Sequence, residues 1–302
     1  MRIGLMHGTS GPDSSLDELV EVAKRAEAAG FATLWLPNIF SWDAIGALSV
    51  VGRETRRIEL GTAVVPSYPR HPMAMAQQAL TASAASGGRF TLGIGLSHKI
   101  VIEDMFGLSY DKPARHMREY LEVLTPLLRG ERVEFEGEQY RVRGGLQVPG
   151  AAPVPLVVAA LGPVMLRHTA RLADGTITWM TGPRTLEEHI VPTLRAAAEQ
   201  AGRAAPRVVA GLPIALTHDV AAAREALAKT FAVYGTLPSY RAMLDREGAE
   251  SPADVALLGD EASLRAQIGR LRDIGVTDLD AAITPVEDGT ERRTFDFLAS
   301  LL

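Results

Sequence analysis

The chain has 302 residues, 47% apolar and 22% charged, a net charge of −5 and no cysteine. That length and composition suit a globular protein with a sizeable core, either two small domains or one large α/β barrel. Disulfides, thiolate metal ligands and cysteine nucleophiles are excluded, and the dispersed charge offers nucleic acid no basic stripe.

No stretch approaches the ~20 apolar residues of a membrane span, so no membrane partner is expected. The apolar run in Met1 to Gly8 is too short for a secretory signal, and the expected location is cytoplasmic. Arg2 to Met6 reads as a strand ending at His7-Gly8, and Thr9-Ser10-Gly11-Pro12 carries turn chemistry. Asp13, Ser14 and Ser15 offer caps for a helix with Leu16, Leu19, Val20, Ala23 and Ala26 on one face, and Gly30 stops it. Ala32 to Leu36 is a second strand, leaving through Pro37-Asn38-Ile39-Phe40-Ser41-Trp42 into a helix that includes Leu48 and Val51. Ile58 to Val65 is a third, buried strand. Pro66 and Pro69 break its ladder, Pro72 opens a helix, and Gly87-Gly88 ends it. Arg89 to Leu96 is a fourth strand that runs into Ser97-His98-Lys99. Strand, loop, helix, strand is a βαβ unit, which implies a parallel sheet.

Beyond Lys99, Asp111 is expected to cap a helix with Pro113 in its first turn and Met117, Tyr120, Leu121, Leu124 and Leu128 on its apolar face. Pro126 predicts a kink or a broken last turn there. Val133 and Phe135, then Tyr140 and Val142, alternate around Gly137-Glu138, a hairpin signal within an insertion near 131–150 after the fourth helix. Leu156 to Ala160, Gly175 to Met180, Arg207 to Leu216 and Leu279 to Ile283 complete eight strands with helices between them, plus an extra helix over Pro238 to Glu247. The pattern reads as a single-domain (β/α)8 TIM barrel over residues 1–302, whose ligands belong at the C-terminal ends of the strands.

Glycines 61, 93 and 95 either let a ring or phosphate approach the backbone or relieve crowding in a curved sheet. Gly93-x-Gly95 has His98 in place of a third glycine and no immediate helix, so it is not a dinucleotide fingerprint. Ala159-Ala160-Leu161-Gly162-Pro163 joins a strand to a helix start, where free N–H groups suit an anion; a plain turn is the alternative. His7 and His98 end strands one and four at the barrel mouth and are the histidines placed for function. His71 and His168 read as structural, and His116, His189 and His218 as helix-surface or cap residues. Trp42, Tyr68 and Trp179 at strand exits either wall a substrate pocket or pack the rim.

LGTAVVPSYPRHP (60–72), GGRFTLGIGLSHK (87–99) and VVAALGPVMLRHTARLADGTITW (157–179) closely resemble the bacterial luciferase-like superfamily. Within it they are most similar to the oxidoreductases that use coenzyme F420, a deazaflavin, and the resemblance covers nearly the whole chain. It implies that F420 (FMN is the alternative cofactor) lies over Asn38, Thr62, Ala63, Val64, Gly95 and Ser97. The amides of Ala159, Ala160, Leu161, Gly162 and Pro163's turn would hold its phosphate. Ala63-Val64 matches the family's place for a non-prolyl cis peptide and a supporting bulge, and the residues alone leave cis and trans open. A homodimer through helices near strands two to four is implied as well. The chain departs from the pattern at Asn38-Ile39, where related enzymes often have Asp-His and where neither residue here is a useful acid near pH 7. The family's lysine for sugar phosphates is also missing, with Pro183 near its place.

The resulting expectation is an F420-dependent oxidoreductase, a reductase passing hydride to a C=C or C=N bond of a small organic molecule. An FMN-dependent monooxygenase and a non-catalytic flavin-binding protein are the alternatives. His98, with an ordinary pKa of about 6.5, is the expected proton donor, ahead of His7 and solvent water.

Overall fold

Eight short apolar strands, each with unpaired backbone on both sides, remove their edges by closing on themselves. The computed structural model describes residues 1–8 and 15–302, so the expectations for Thr9 to Ser14 lie outside the described residues. The barrel strands are β1 (Arg2–Met6), β2 (Thr33–Leu36), β3 (Glu59–Thr62), β4 (Phe90–Gly95), β5 (Leu156–Ala159), β6 (Gly175–Trp179), β7 (Arg207–Leu216) and β8 (Asp278–Ile283). Every neighbouring pair is parallel, and β8 returns to pair with β1. This is the expected TIM barrel. Ser15 caps the first helix, its hydroxyl accepting from the Glu18 N–H, and Gly30 ends it at φ 94°.

The hairpin after the fourth helix is present, with Val133–Glu136 antiparallel to Arg141–Gly144. Two details around that helix differ from expectation. Its N-cap is Lys112, in the left-handed region at φ 52° and without a side-chain cap, so Asp111 does not cap it. The helix runs on past Pro126 to Leu128, so its last turn is not broken there. The proline falls in the last turn, and Gly130 at φ 76° then closes the end: Gly130 N–H donates to Leu127 and Glu131 N–H to Pro126. A three-residue strand, Leu257–Gly259, pairs in parallel with the C-terminal part of β7 and is too short to leave a periodic signal.

Side chains two apart along each strand face the barrel interior. At the N-terminal end those positions carry charge. Arg207 makes two bonds to Asp278, at 2.7 and 2.9 Å, and one of 2.7 Å to Glu59, which also accepts from Arg2 and Thr91. This network lies at the face associated with stability in such barrels, opposite the ligand face. Above it lies Trp35, fully buried, with the Arg207 guanidinium 5.3 Å from its ring centre. A Cβ at Gly61 would fall 2.3 Å from the indole, and one at Gly4 would fall 3.1 Å from it. Both glycines therefore make room for the tryptophan. Trp35 packs with Val157, Ile177 and Val209, and Ala63, Val64 and Ala159 rest on that cluster from the mouth side.

Candidate functional site

The third strand stops one residue before the mouth. The Ala63-Val64 peptide is cis, and the chain regains its pairing with β4 at Val65 and Pro66. Across this bulge the Thr62 hydroxyl replaces the missing ladder, accepting from Gly93 N–H and donating to Gly93 carbonyl, both at 2.8 Å. A Cβ at Gly93 would fall 1.9 Å from the Thr62 carbonyl oxygen, so only glycine fits behind the bulge. At Gly95 a Cβ would come 2.8 Å from Val64 and 3.2 Å from Ala159. The result is a floor of small side chains, half-buried at Ala63, Val64 and Ala159. It is a cradle a larger residue would fill.

After β5, Gly162 is the N-cap of the helix Pro163–Leu172, with no side-chain cap bond. Gly162, Pro163 and Val164 are exposed, and a Cβ at Gly162 would meet nothing within 4 Å. First-turn N–H groups of such a helix have no partner within it and suit an anion. Ala160 is fully buried and contributes only backbone, and the Leu161 carbonyl accepts from His189 Nε2–H at 2.8 Å. His189 is therefore a clamp on this turn rather than a surface residue. The neighbouring helix start at Pro183 is different. There the Glu247 carboxylate accepts from Arg184 and Thr185 N–H at 3.1 and 2.7 Å, an internal anion already seated.

At the β6 exit, Trp179 meets Phe231 and Tyr234 edge-on, with ring centres 5.9 and 6.3 Å apart. Tyr234 meets Tyr240 at 5.2 Å, and Tyr240 lies 5.8 Å from the His98 ring at the β4 exit. The segment 231–240 thus links the two exits through aromatic contacts. The expected extra helix is there, as Pro238–Glu247, but Phe231, Tyr234 and Tyr240 carried no periodic signal that set them apart from core residues. Phe40, Ser97 and Met180 are non-glycine residues at positive φ, one at each exit of β2, β4 and β6. Such backbone is held only where surroundings fix it, and it concentrates at functional sites.

The remaining expected residues are divided among separate settings. Asn38 uses its Oδ1 to accept from Ala44 N–H at 3.0 Å, clamping the β2 exit loop, while Ile39 and Phe40 are exposed. Trp42 packs half-buried against the main core. Tyr68 stacks on His116 with ring centres 3.8 Å apart and planes 1° apart. His116 is 3% exposed, not a surface residue as expected, and it bonds the Ser67 hydroxyl at 2.9 Å and the Tyr140 hydroxyl at 3.3 Å. Burial lowers its pKa to about 4. Ser67 is fully buried, so this pair fastens the β3 exit to the hairpin instead of presenting a nucleophile. Burial also draws His98 below its ordinary pKa, leaving it mostly neutral at neutral pH. His7 is lowered mainly by burial too, and its charged neighbours Glu18, Arg25 and Glu291 belong to the first and last helices. The groups shown around the two histidines come from different elements: the first and last helices for His7, and Tyr240 for His98.

Residues 1–288 match the luciferase-like monooxygenase family. The 5,10-methylenetetrahydromethanopterin reductase of Archaeoglobus fulgidus is 31% identical over 248 residues, covering 80% of this chain and 73% of that protein. The F420-dependent glucose-6-phosphate dehydrogenase of Nakamurella multipartita is 29% identical over 269 residues, 84% of this chain and 78% of that protein. Among solved structures, the coenzyme F420-dependent tetrahydromethanopterin reductase of Methanopyrus kandleri superposes with a TM-score of 0.82 at 23% identity, covering 99% of this chain and 97% of that one.

Proposed function

The chain belongs to the luciferase-like monooxygenase family, and from that premise we propose that it is a coenzyme F420-dependent oxidoreductase acting on a small organic molecule. The observation that carries the reading is the pairing of a small-residue floor at Ala63, Val64, Gly95 and Ala159 with the free helix start at Gly162. A flat ring fits the first and its phosphate the second. Relatives of similar length at 31% and 29% identity are an enzyme of methylenetetrahydromethanopterin reduction and an F420-dependent dehydrogenase, which favours the deazaflavin over FMN.

Bound F420 supplies a hydride donor or acceptor; the protein's own residues position, exclude water and manage the proton. The bulge at Ala63-Val64 would support the ring, and Thr62 holds the bulge through its bonds to Gly93. Trp179, Tyr234 and Tyr240 wall the mouth and keep water from it. His98 is the group placed to move a proton at the β4 exit, since Asn38 and Ile39 supply none. We assign the direction as reduction of a C=C or C=N bond, in a cytoplasmic homodimer; sedimentation at micromolar concentration that finds only monomer would count against the dimer. The cofactor is tested by fluorescence titration of the purified protein with F420 and with FMN. Tighter binding of F420 is expected, and a clear preference for FMN would overturn the assignment.

A further inference from the structure

Inside the barrel, Asp280 is fully buried, and neither of its carboxylate oxygens has a hydrogen-bond partner. Its neighbours in register on both adjacent strands are glycines, Gly4 on β1 and Gly211 on β7. Neither register neighbour therefore contributes a side chain of its own beside it. The Trp35 indole edge lies against Gly4, with Nε1 3.1 Å from the position a Gly4 Cβ would take, and that N–H is likewise buried without a partner. Over Gly211 lie the Trp179 ring and the Met6 methyl group, 3.0 and 3.4 Å from a Cβ there. Two orphaned groups of complementary chemistry, an acid and an N–H donor, thus flank the same bare backbone between the charged layer and the mouth.

An ionised carboxylate in such a place, with no donor, costs far more than a neutral one, and buried polar groups without protein partners are usually bridged by internal water. We propose that Asp280 and Trp35 Nε1 form an internal proton-and-water site: the carboxyl is protonated at neutral pH, and one water molecule accepts from Trp35 Nε1–H and bonds the acid. The charged groups below it are Asp278 on the same strand, Arg207 on β7, Glu59 on β3 and Arg2 on β1. Arg207 is already committed to Asp278 and Glu59, so it does not neutralise Asp280, and Asp278 adds repulsion to burial in holding the Asp280 carboxyl well above the usual carboxylate range.

The test uses the full chain without added cofactor, so it stands apart from the assignment of F420. A folded state that keeps a proton the unfolded chain releases loses stability as pH rises above the ordinary carboxyl range. Asp280→Asn keeps the shape and the neutral hydrogen bonding. Its folding equilibrium should gain on wild type by about tenfold per pH unit across the window where only the folded acid is protonated. Wild type should also carry an infrared band of a protonated carboxyl at neutral pH that Asp280→Asn lacks. Parallel stability profiles together with a missing band would overturn the proposal. Should Asp280→Asn fail to fold, wild-type protein with isotope-labelled aspartate decides, because the labelled protonated-carboxyl band is then either present or absent.

Discussion

Replacing Gly61 by alanine puts the packing beneath the site under direct strain. The added methyl would lie 2.3 Å from Trp35 Cε3 and Cζ3 and 3.0 Å from Cδ2, against an ordinary carbon contact of about 3.5–4.0 Å. The ring must retreat by more than an ångström. It is fully buried, packed on Val157, Ile177 and Val209, with Gly4 at its other edge and Arg207 at 5.3 Å. Overpacking of this kind costs about 1–3 kcal/mol, and the stiffer unfolded chain of an alanine variant returns about 0.4–1 kcal/mol. A net loss of about 1–2 kcal/mol is expected in urea unfolding. Trp35→Leu removes the clashing ring, so Gly61→Ala should cost at least ~1 kcal/mol less in that background, a coupling typical of residues in contact. F420 affinity should fall with the single variant, because Ala63, Val64 and Ala159 rest on the same cluster. An equal cost of Gly61→Ala in both backgrounds would refute the reasoning.

Gly162→Asp fits without a clash and gives the helix a better N-cap. Its carboxylate would nonetheless occupy the free amides, so F420 binding by fluorescence titration should weaken at least tenfold, about 1.4 kcal/mol, with no loss of thermal stability. His98→Gln should lower turnover by ~10²-fold while leaving F420 affinity intact, as expected for loss of a proton-transfer group. His116, held at a pKa of about 4 by burial, stays neutral when folded while the unfolded chain takes up its proton below about 6.5. Stability is complete above that pH and should fall by up to about 3 kcal/mol as pH drops toward 4, and His116→Gln should flatten this limb of the urea midpoint profile.

The strands and most helices were legible because each carries its own punctuation. Gly30, Pro72, Gly87 and Pro238 stop or start helices through backbone geometry that survives any tertiary context. The floor of the site was legible only in part. Gly93 and Gly95 signalled close approach, and the resemblance marked Ala63-Val64, but Gly61 proved to serve Trp35 in the barrel interior. What stayed hidden depends on contacts far apart in sequence. Glu59 and Arg207 are 148 residues apart, Glu247 meets a helix start 62 and 63 residues before it, and Ser67 meets His116 across 49. No local pattern encodes such pairs. His116 looked like a helix-surface residue because its helix face is defined by apolar neighbours, and an imidazole stacked on Tyr68 satisfies that face equally well.

The side chains of the β2 exit bear on where the proposed proton transfer takes place. The Asn38 Oδ1 already accepts from Ala44 N–H in the loop that starts the next helix. Asp43, the cap of that helix, accepts from Gly46 N–H and pairs with Arg70 from the β3 exit loop. Both Asp43 carboxylate oxygens are therefore committed to holding the loop. Ile39 adds no polar group, and it is exposed beside Phe40. At the β4 exit, His98 adjoins Tyr240, whose hydroxyl is kept neutral by burial well beyond neutral pH. An imidazole drawn below its ordinary pKa holds a proton weakly and gives it up readily. It is thus suited to passing a proton onward and poorly suited to storing one, which is the behaviour the proposed reduction asks of it.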